Sequence, residues 1–82
     1  MSHPCPCCGY LTFDDEPCGS FELCPVCFWE DDNVQNDDPV YVGGANGISL
    51  NEARNNFASF GAIKQEFVKE VRKPLEAEFP RS

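Results

Sequence analysis

The chain has 82 residues, with six Lys and Arg against 14 Asp and Glu, a formal charge of −8, and six cysteines. Such a balance disfavours DNA, RNA and anionic membrane surfaces as partners, and no apolar run reaches the length of a membrane-spanning helix. One domain of this size is at the lower edge of what a hydrophobic core alone can hold, and natural chains so short often add a metal or disulfides.

The start, Met1-Ser2-His3-Pro4, carries no apolar run of the kind that directs export, so a cytoplasmic, reducing setting is expected, in which thiols serve metals better than bridges. Two hooks follow, Cys5-Pro6-Cys7-Cys8-Gly9 and Cys24-Pro25-Val26-Cys27. Each reads Cys-Pro-x-Cys, a tight turn that points two sulfurs at one point, with proline presetting φ. Between them, Tyr10–Phe13 has strand character, Asp14-Asp15-Glu16-Pro17 is an acidic turn, and Ser20–Leu23 alternates with period two. Antiparallel pairing of these two strands brings Cys8 and Cys24 to one end of a hairpin. The expected centre is therefore one Zn²⁺ in a tetrathiolate of Cys5, Cys8, Cys24 and Cys27, with Cys7 and Cys18 as alternates and His3 near enough to stand in for Cys5. A rubredoxin-like iron takes the same donors. A disulfide framework fits the spacing less well, and the repeat of a binuclear six-cysteine cluster is missing.

Phe28-Trp29 are placed to cover the sulfurs. The run from Glu30 to Pro39 is the most acidic part of the chain. It lacks the glycine and closing glutamate of a calcium loop, and reads as a solvated loop. Val40-Tyr41-Val42 suits a third strand. Gly43–Gly47 is a flexible connection without the setting of a phosphate-binding loop. Ser49-Leu50-Asn51-Glu52 is a capping box opening a helix to about Ser59, with Leu50, Ala53, Phe57 and Phe60 on one face and Gly61 just past its end. Ile63, Phe67 and Val71 step by four through a second helix that Pro74 stops. Residues 75–82 read as a fraying tail, although Leu75 and Phe79 could dock. The expected fold is a small α+β metal-bound domain spanning 1–82: a zinc-ribbon-like hairpin with two Cys-Pro-x-Cys knuckles (4–42), then two short α-helices (49–74).

On these residues the sequence resembles the cysteine-rich CPCC family, small and mainly bacterial proteins. The resemblance is carried by Cys5-Pro6-Cys7-Cys8-Gly9-Tyr10, by Cys24-Pro25-Val26-Cys27-Phe28-Trp29-Glu30-Asp31-Asp32, by Gly43-Gly44-Ala45-Asn46 and by Leu50–Phe57. It covers most of residues 4–74 and implies zinc bound through the cysteines, without a substrate or reaction. Cys18 falls outside the family pattern.

Four thiolates close a tetrahedral shell and leave no open position for activated water, so the expectation is a structural metal domain and not an enzyme. A catalytic alternative would draw on Glu30, Asp31, Asp32, Asn46 and Arg54. The expected role is a protein-interaction module of undetermined cellular task, meeting a basic protein partner through Trp29, Glu30, Asp31, Asp32, Asp37 and Asp38. The alternative is a thiol-based redox or metal-responsive regulator using Cys7 or Cys18, which requires a thiolate that no sequence-adjacent cation supports.

Overall fold

The structure, a computed structural model, describes residues 3–16 and 19–80. Cys18 therefore lies outside the described residues, as do the first and last two positions. Strand β1 (His3–Pro4) pairs antiparallel with β2 (Leu11–Phe13), His3 opposite Phe13 and Pro4 opposite Leu11, with an irregularity between the two pairs. This hairpin encloses the first hook.

The expected pairing of Tyr10–Phe13 with Ser20–Leu23 does not form. The second hook is instead closed by its own bridge between Leu23 and Glu30, continued by Phe21 N donating to Asp31 O (3.0 Å) and Asp31 N to Glu22 O (2.9 Å). A Cys-Pro-x-Cys turn reverses the chain within itself, so its flanks are already neighbours, and pairing them closes a shorter loop than pairing across the acidic turn.

The two hooks repeat one backbone device. Cys5 N donates to Tyr10 O and Gly9 N to Cys5 O, both at 2.9 Å; in the second hook Cys24 N donates to Trp29 O (2.9 Å) and Phe28 N to Cys24 O (2.8 Å). The position after each second cysteine must be left-handed: Gly9 has φ +81° and Phe28 has φ +75°. A phenylalanine there carries strain that glycine avoids. Phe28 has compensation, its ring lying 4.3 Å from that of Phe67.

The acidic stretch is not a solvated loop. Asp31 and Asp32 are buried, and Asp32 caps a short helix α1 (Asn33–Asp37) by accepting from Val34 N (2.9 Å) and Gln35 N (3.3 Å). Asp31 accepts from Gly19 N and Ser20 N (3.0 Å each), Ser20 Oγ (3.1 Å) and Asn36 Nδ2 (2.8 Å). Burial pushes the Asp31 carboxyl up, but the bonds from Asn36, Ser20 and Gly19 outweigh it and hold it below the ordinary carboxylate range. Asn46 completes this buried polar layer. Its side-chain amide accepts from Glu30 N (2.8 Å) and donates to Glu30 O (2.9 Å), pairing as a strand neighbour would, and donates again to Gln35 Oε1 (2.9 Å). The nearby Val40–Val42 remains irregular and exposed because Gln35 Nε2 and Pro39 O anchor it by single bonds, to Tyr41 O and from Asn51 N, and not by a ladder.

Helix α2 (Leu50–Phe60) begins as expected, the Ser49 hydroxyl accepting from Glu52 N (3.0 Å), and ends at Gly61. Leu50 and Ala53 are buried in the core with Phe13, Val26, Trp29 and Ile63, while Phe57 packs at its edge. The second α-helix does not form. Ile63 N donates to Cys27 O and Arg72 N to Pro25 O, both at 3.0 Å, so the segment spans the second hook with a 3-10 turn at Gln65–Phe67. A helix running through Arg72 would return its N–H to the carbonyl four residues back and take it from Pro25. The tail docks: Phe79 meets Tyr10 edge to face at 5.3 Å, Arg72 holds the Glu78 carboxylate through two bonds of 2.8 Å, and a 3-10 turn spans Glu76–Glu78. No helix among the described residues is long and apolar enough to cross a membrane.

Gly44, at φ +61°, passes so close to Asp32 that an added Cβ would lie 2.5 Å from Oδ2, and Ala45 N donates to the same oxygen (3.0 Å). Around Gly9 nothing lies within 4 Å of a Cβ. Gly9→Ala is therefore expected to cost about 1 kcal/mol, backbone strain alone, and Gly44→Ala roughly 2–4 kcal/mol, strain plus displacement of the α1 cap. Chemical denaturation of the two variants checks the order; equal costs would remove the close approach from the account.

Candidate metal centre

The two hooks bring Cys5, Cys8, Cys24 and Cys27 together with all four sulfurs within 4.8 Å of one another. Cys5 Sγ lies 3.6 Å from Cys27 Sγ, and Cys8 Sγ lies 3.8 Å from Cys24 Sγ. A disulfide would bring sulfurs to about 2 Å. These cysteines and Cys7 are free. A tetrahedral ion with metal–sulfur bonds of 2.3 Å sets its ligand sulfurs about 3.8 Å apart. The donor set thus fits a tetrahedrally coordinated metal.

Burial is uneven across the four. Cys5, Cys24 and Cys27 are buried, and Cys8 is half-buried. The Thr12 hydroxyl lies 3.1 Å from Cys24 Sγ, and Cys7 N donates to Cys5 Sγ at 3.4 Å. Both contacts stabilise negative charge on sulfur. In the protein without an ion, a thiolate at Cys24 is favoured by bonds from Cys27, Cys5 and Cys8, with Thr12 adding. The same bonds push the Cys27 and Cys5 thiols up, each chiefly through Cys24. A cation among the sulfurs would offset the charge that Cys5 and Cys27 resist.

Cys7 takes the place in its hook that Val26 takes in the second, and both are buried. It sits in the core beside the cluster. His3 lies in β1, paired with Phe13. Phe13 and Trp29, both without exposed surface, pack around the cysteines. The first hook is tied to α2 by Arg54, whose Nε donates to Pro6 O at 2.9 Å.

Of the residues expected to face a partner, Trp29, Asp31 and Asp32 are turned inward, to the core, to the Gly19–Ser20 turn and to the α1 cap. Glu30 is half-buried, and Asp37 and Asp38 are exposed. Glu30 and Asn46 line one small cavity with Phe28, Ile63, Lys64 and Phe67, whereas the two aspartates are spent on the Gly19–Ser20 turn and the α1 cap, and Arg54 on the first hook. The contributions of Thr12 and Arg54 to the centre escaped sequence reasoning. A hydroxyl immediately before Phe13, on the strand leaving the first hook, was the available signal for Thr12.

Residues 3–78 match the family model described as cysteine-rich CPCC. No curated protein matches the chain.

The Thr12–Cys24 contact predicts that Thr12→Val weakens metal retention about tenfold, the lower end of what loss of an outer hydrogen bond to a ligand costs, while Thr12→Ser keeps it. Competition against a chromophoric chelator measures both; equal retention in the three proteins would show that the hydroxyl leaves the sulfur untouched.

Proposed function

This chain belongs to the cysteine-rich CPCC family, and from that membership together with its four converging sulfurs we propose that it is a structural zinc protein of the zinc-ribbon kind, serving as a protein-interaction module in the cytoplasm. The observation that carries the reading is the pair of sulfur separations, 3.6 and 3.8 Å, across two hooks of the same construction. Cys5, Cys8, Cys24 and Cys27 would hold one ion. Bound there, zinc supplies charge compensation and a crosslink between two turns, and four protein sulfurs fill its shell, which supports a structural role over a catalytic one.

The interaction reading rests on the surface. Exposed Asp37 and Asp38, with Glu30 at the edge, offer carboxylates to a basic protein face, where electrostatic attraction speeds encounter more than it deepens affinity. The inward placement of Cys7 supports packing over redox sensing.

A structural zinc contributes on the order of 10–16 kcal/mol in small peptides, against about 5–15 kcal/mol of net stability for a domain. Purified without chelator, the protein is expected to carry one zinc per chain by native mass spectrometry. Removing the ion, or replacing Cys27 by Ser, should abolish the NMR dispersion of residues 3–30. A spectrum unchanged after complete metal removal overturns the structural role, and a different ion in the native spectrum overturns zinc.

A further inference from the structure

Charge is segregated along this chain. Residues 1–52 hold ten of the 14 carboxylates and neither Lys nor Arg, whereas residues 53–82 hold all six Lys and Arg with the other four carboxylates. The fold sets representatives of the two groups at opposite ends of α2. At its N-terminal end Asn51 N donates to Pro39 O (3.0 Å), which fixes the strip Asp37–Val42 there. At its C-terminal end a groove of about 390 Å³ is walled by Val26, Phe57, Phe60, Val68 and Val71, and its charged lining residues are Arg72 and Lys73. Eleven helical residues put roughly 16 Å between the two.

Strip and groove are complementary in kind. The strip offers two exposed aspartates followed by Val40, Tyr41 and Val42, which are 69%, 43% and 67% exposed. A run of apolar side chains so uncovered, bordered by charge, is the mark of a contact surface. The groove offers apolar walls, with Val68 41% exposed, and a cationic margin. Arg72 is taken up by the Glu78 carboxylate through two bonds, so Lys73 is the lining cation that faces an incoming aspartate.

We propose that the groove receives the Asp37–Val42 strip of a second copy of this chain. With two α2 helices antiparallel, each copy's strip meets the other's groove, both contacts form together, and the assembly closes as a two-fold dimer. This names the basic face met by the exposed aspartates as the chain's own, and so rests on the interaction reading above. The net charge of −8 on each copy does not prevent it. Screening acts over about 8 Å at physiological salt, whereas the molecule measures 31 × 25 × 21 Å, so charges at the contact outweigh those on the far side.

Sedimentation equilibrium of the metal-loaded protein up to about 1 mM, where even weak specific contacts fill, tests this together with two exposed-site variants. The wild type is expected to reach a dimer and stop there. Lys73→Glu and Asp37→Lys should each raise the dissociation constant about tenfold or more, since each sets like charges opposite one another twice. Mixing the two variants in equal amounts should regain wild-type association, because both contacts of the mixed pair again join opposite charges. Metal content, read from native mass spectra of the same samples, verifies that each variant is folded. A monomer at every concentration overturns the proposal, as does unchanged association of the variants or failure of the mixture to regain it. A metal-loaded monomer that binds a basic test peptide through Asp37 would leave the interaction reading standing while removing the second copy.

Discussion

Four sulfur atoms from two separate turns must meet at one point, and the rest of the molecule is arranged around keeping them there. The hooks position the sulfurs in pairs, but nothing in either hook fixes its distance to the other. That distance is set by what packs on them: Phe13 and Trp29 against the cysteines, Arg54 of α2 bonded to the carbonyl of Pro6, and residues 63 and 72 bonded to the carbonyls of Cys27 and Pro25. Each hook therefore offers its backbone oxygens to a different later segment. The later segments have little core of their own, so the dependence runs both ways, and ordering the sulfurs and ordering the C-terminal half become one event.

The same constraint explains why the two hooks differ where they might have been identical. Both need a left-handed residue after the second cysteine. The first uses Gly9, beside which nothing packs, and keeps strain low at the cost of leaving Cys8 half-uncovered. The second uses Phe28, accepts strain of about 1 kcal/mol or somewhat more, and gains a ring stacked on Phe67 above a cysteine with no exposed surface. One side of the centre is covered at the expense of the backbone, and the other is relaxed and open. Of the four clustered cysteines, Cys8 is the one that solvent reaches most readily.

What was readable from the sequence was whatever is local. The hook spacing, the Ser49 cap and the apolar face of α2 each depend on residues within a few positions of one another, and their chemistry survives without tertiary context. The polar layer was misread because Asp31, Asp32 and Asn46 look like solvent residues and many of their partners lie 11 to 16 positions away, although the Asp32 cap on Val34 and Gln35 is itself local. A carboxylate is readable as buried only when its donors are known. The four-residue step of Ile63, Phe67 and Val71 misled for a related reason: the step is real, but the N–H groups at 63 and 72 are claimed by the second hook, and a 3-10 turn at Gln65–Phe67 forms in place of the helix. Of the two strands expected, Leu11–Phe13 forms but pairs with His3–Pro4, while Ser20–Leu23 keeps one bridge at Leu23 and a left-handed Phe21 (φ 60°), since local closure around each hook competes favourably with a longer connection.

Charge is polarised along the chain. Acid dominates the part built around the hooks, where four thiolates and one divalent ion would add two further negative charges to the count. The compensating cations are concentrated after residue 53, on the segments that brace the second hook and border the groove at the end of α2. Within one molecule the C-terminal half is held to the hooks by bonds to carbonyls, from Ile63 N to Cys27 O, Arg72 N to Pro25 O and Arg54 Nε to Pro6 O, while the ion pair among the described residues, Arg72 with Glu78, lies within that half. In the proposed dimer the polarity would select orientation, because approach with like ends together is repelled and approach with opposite ends together is attracted within the screening length. On the proposed function the ion would have an indirect part in recognition, because the hooks it would crosslink carry the carbonyls to which Arg54, Ile63 and Arg72 are bonded.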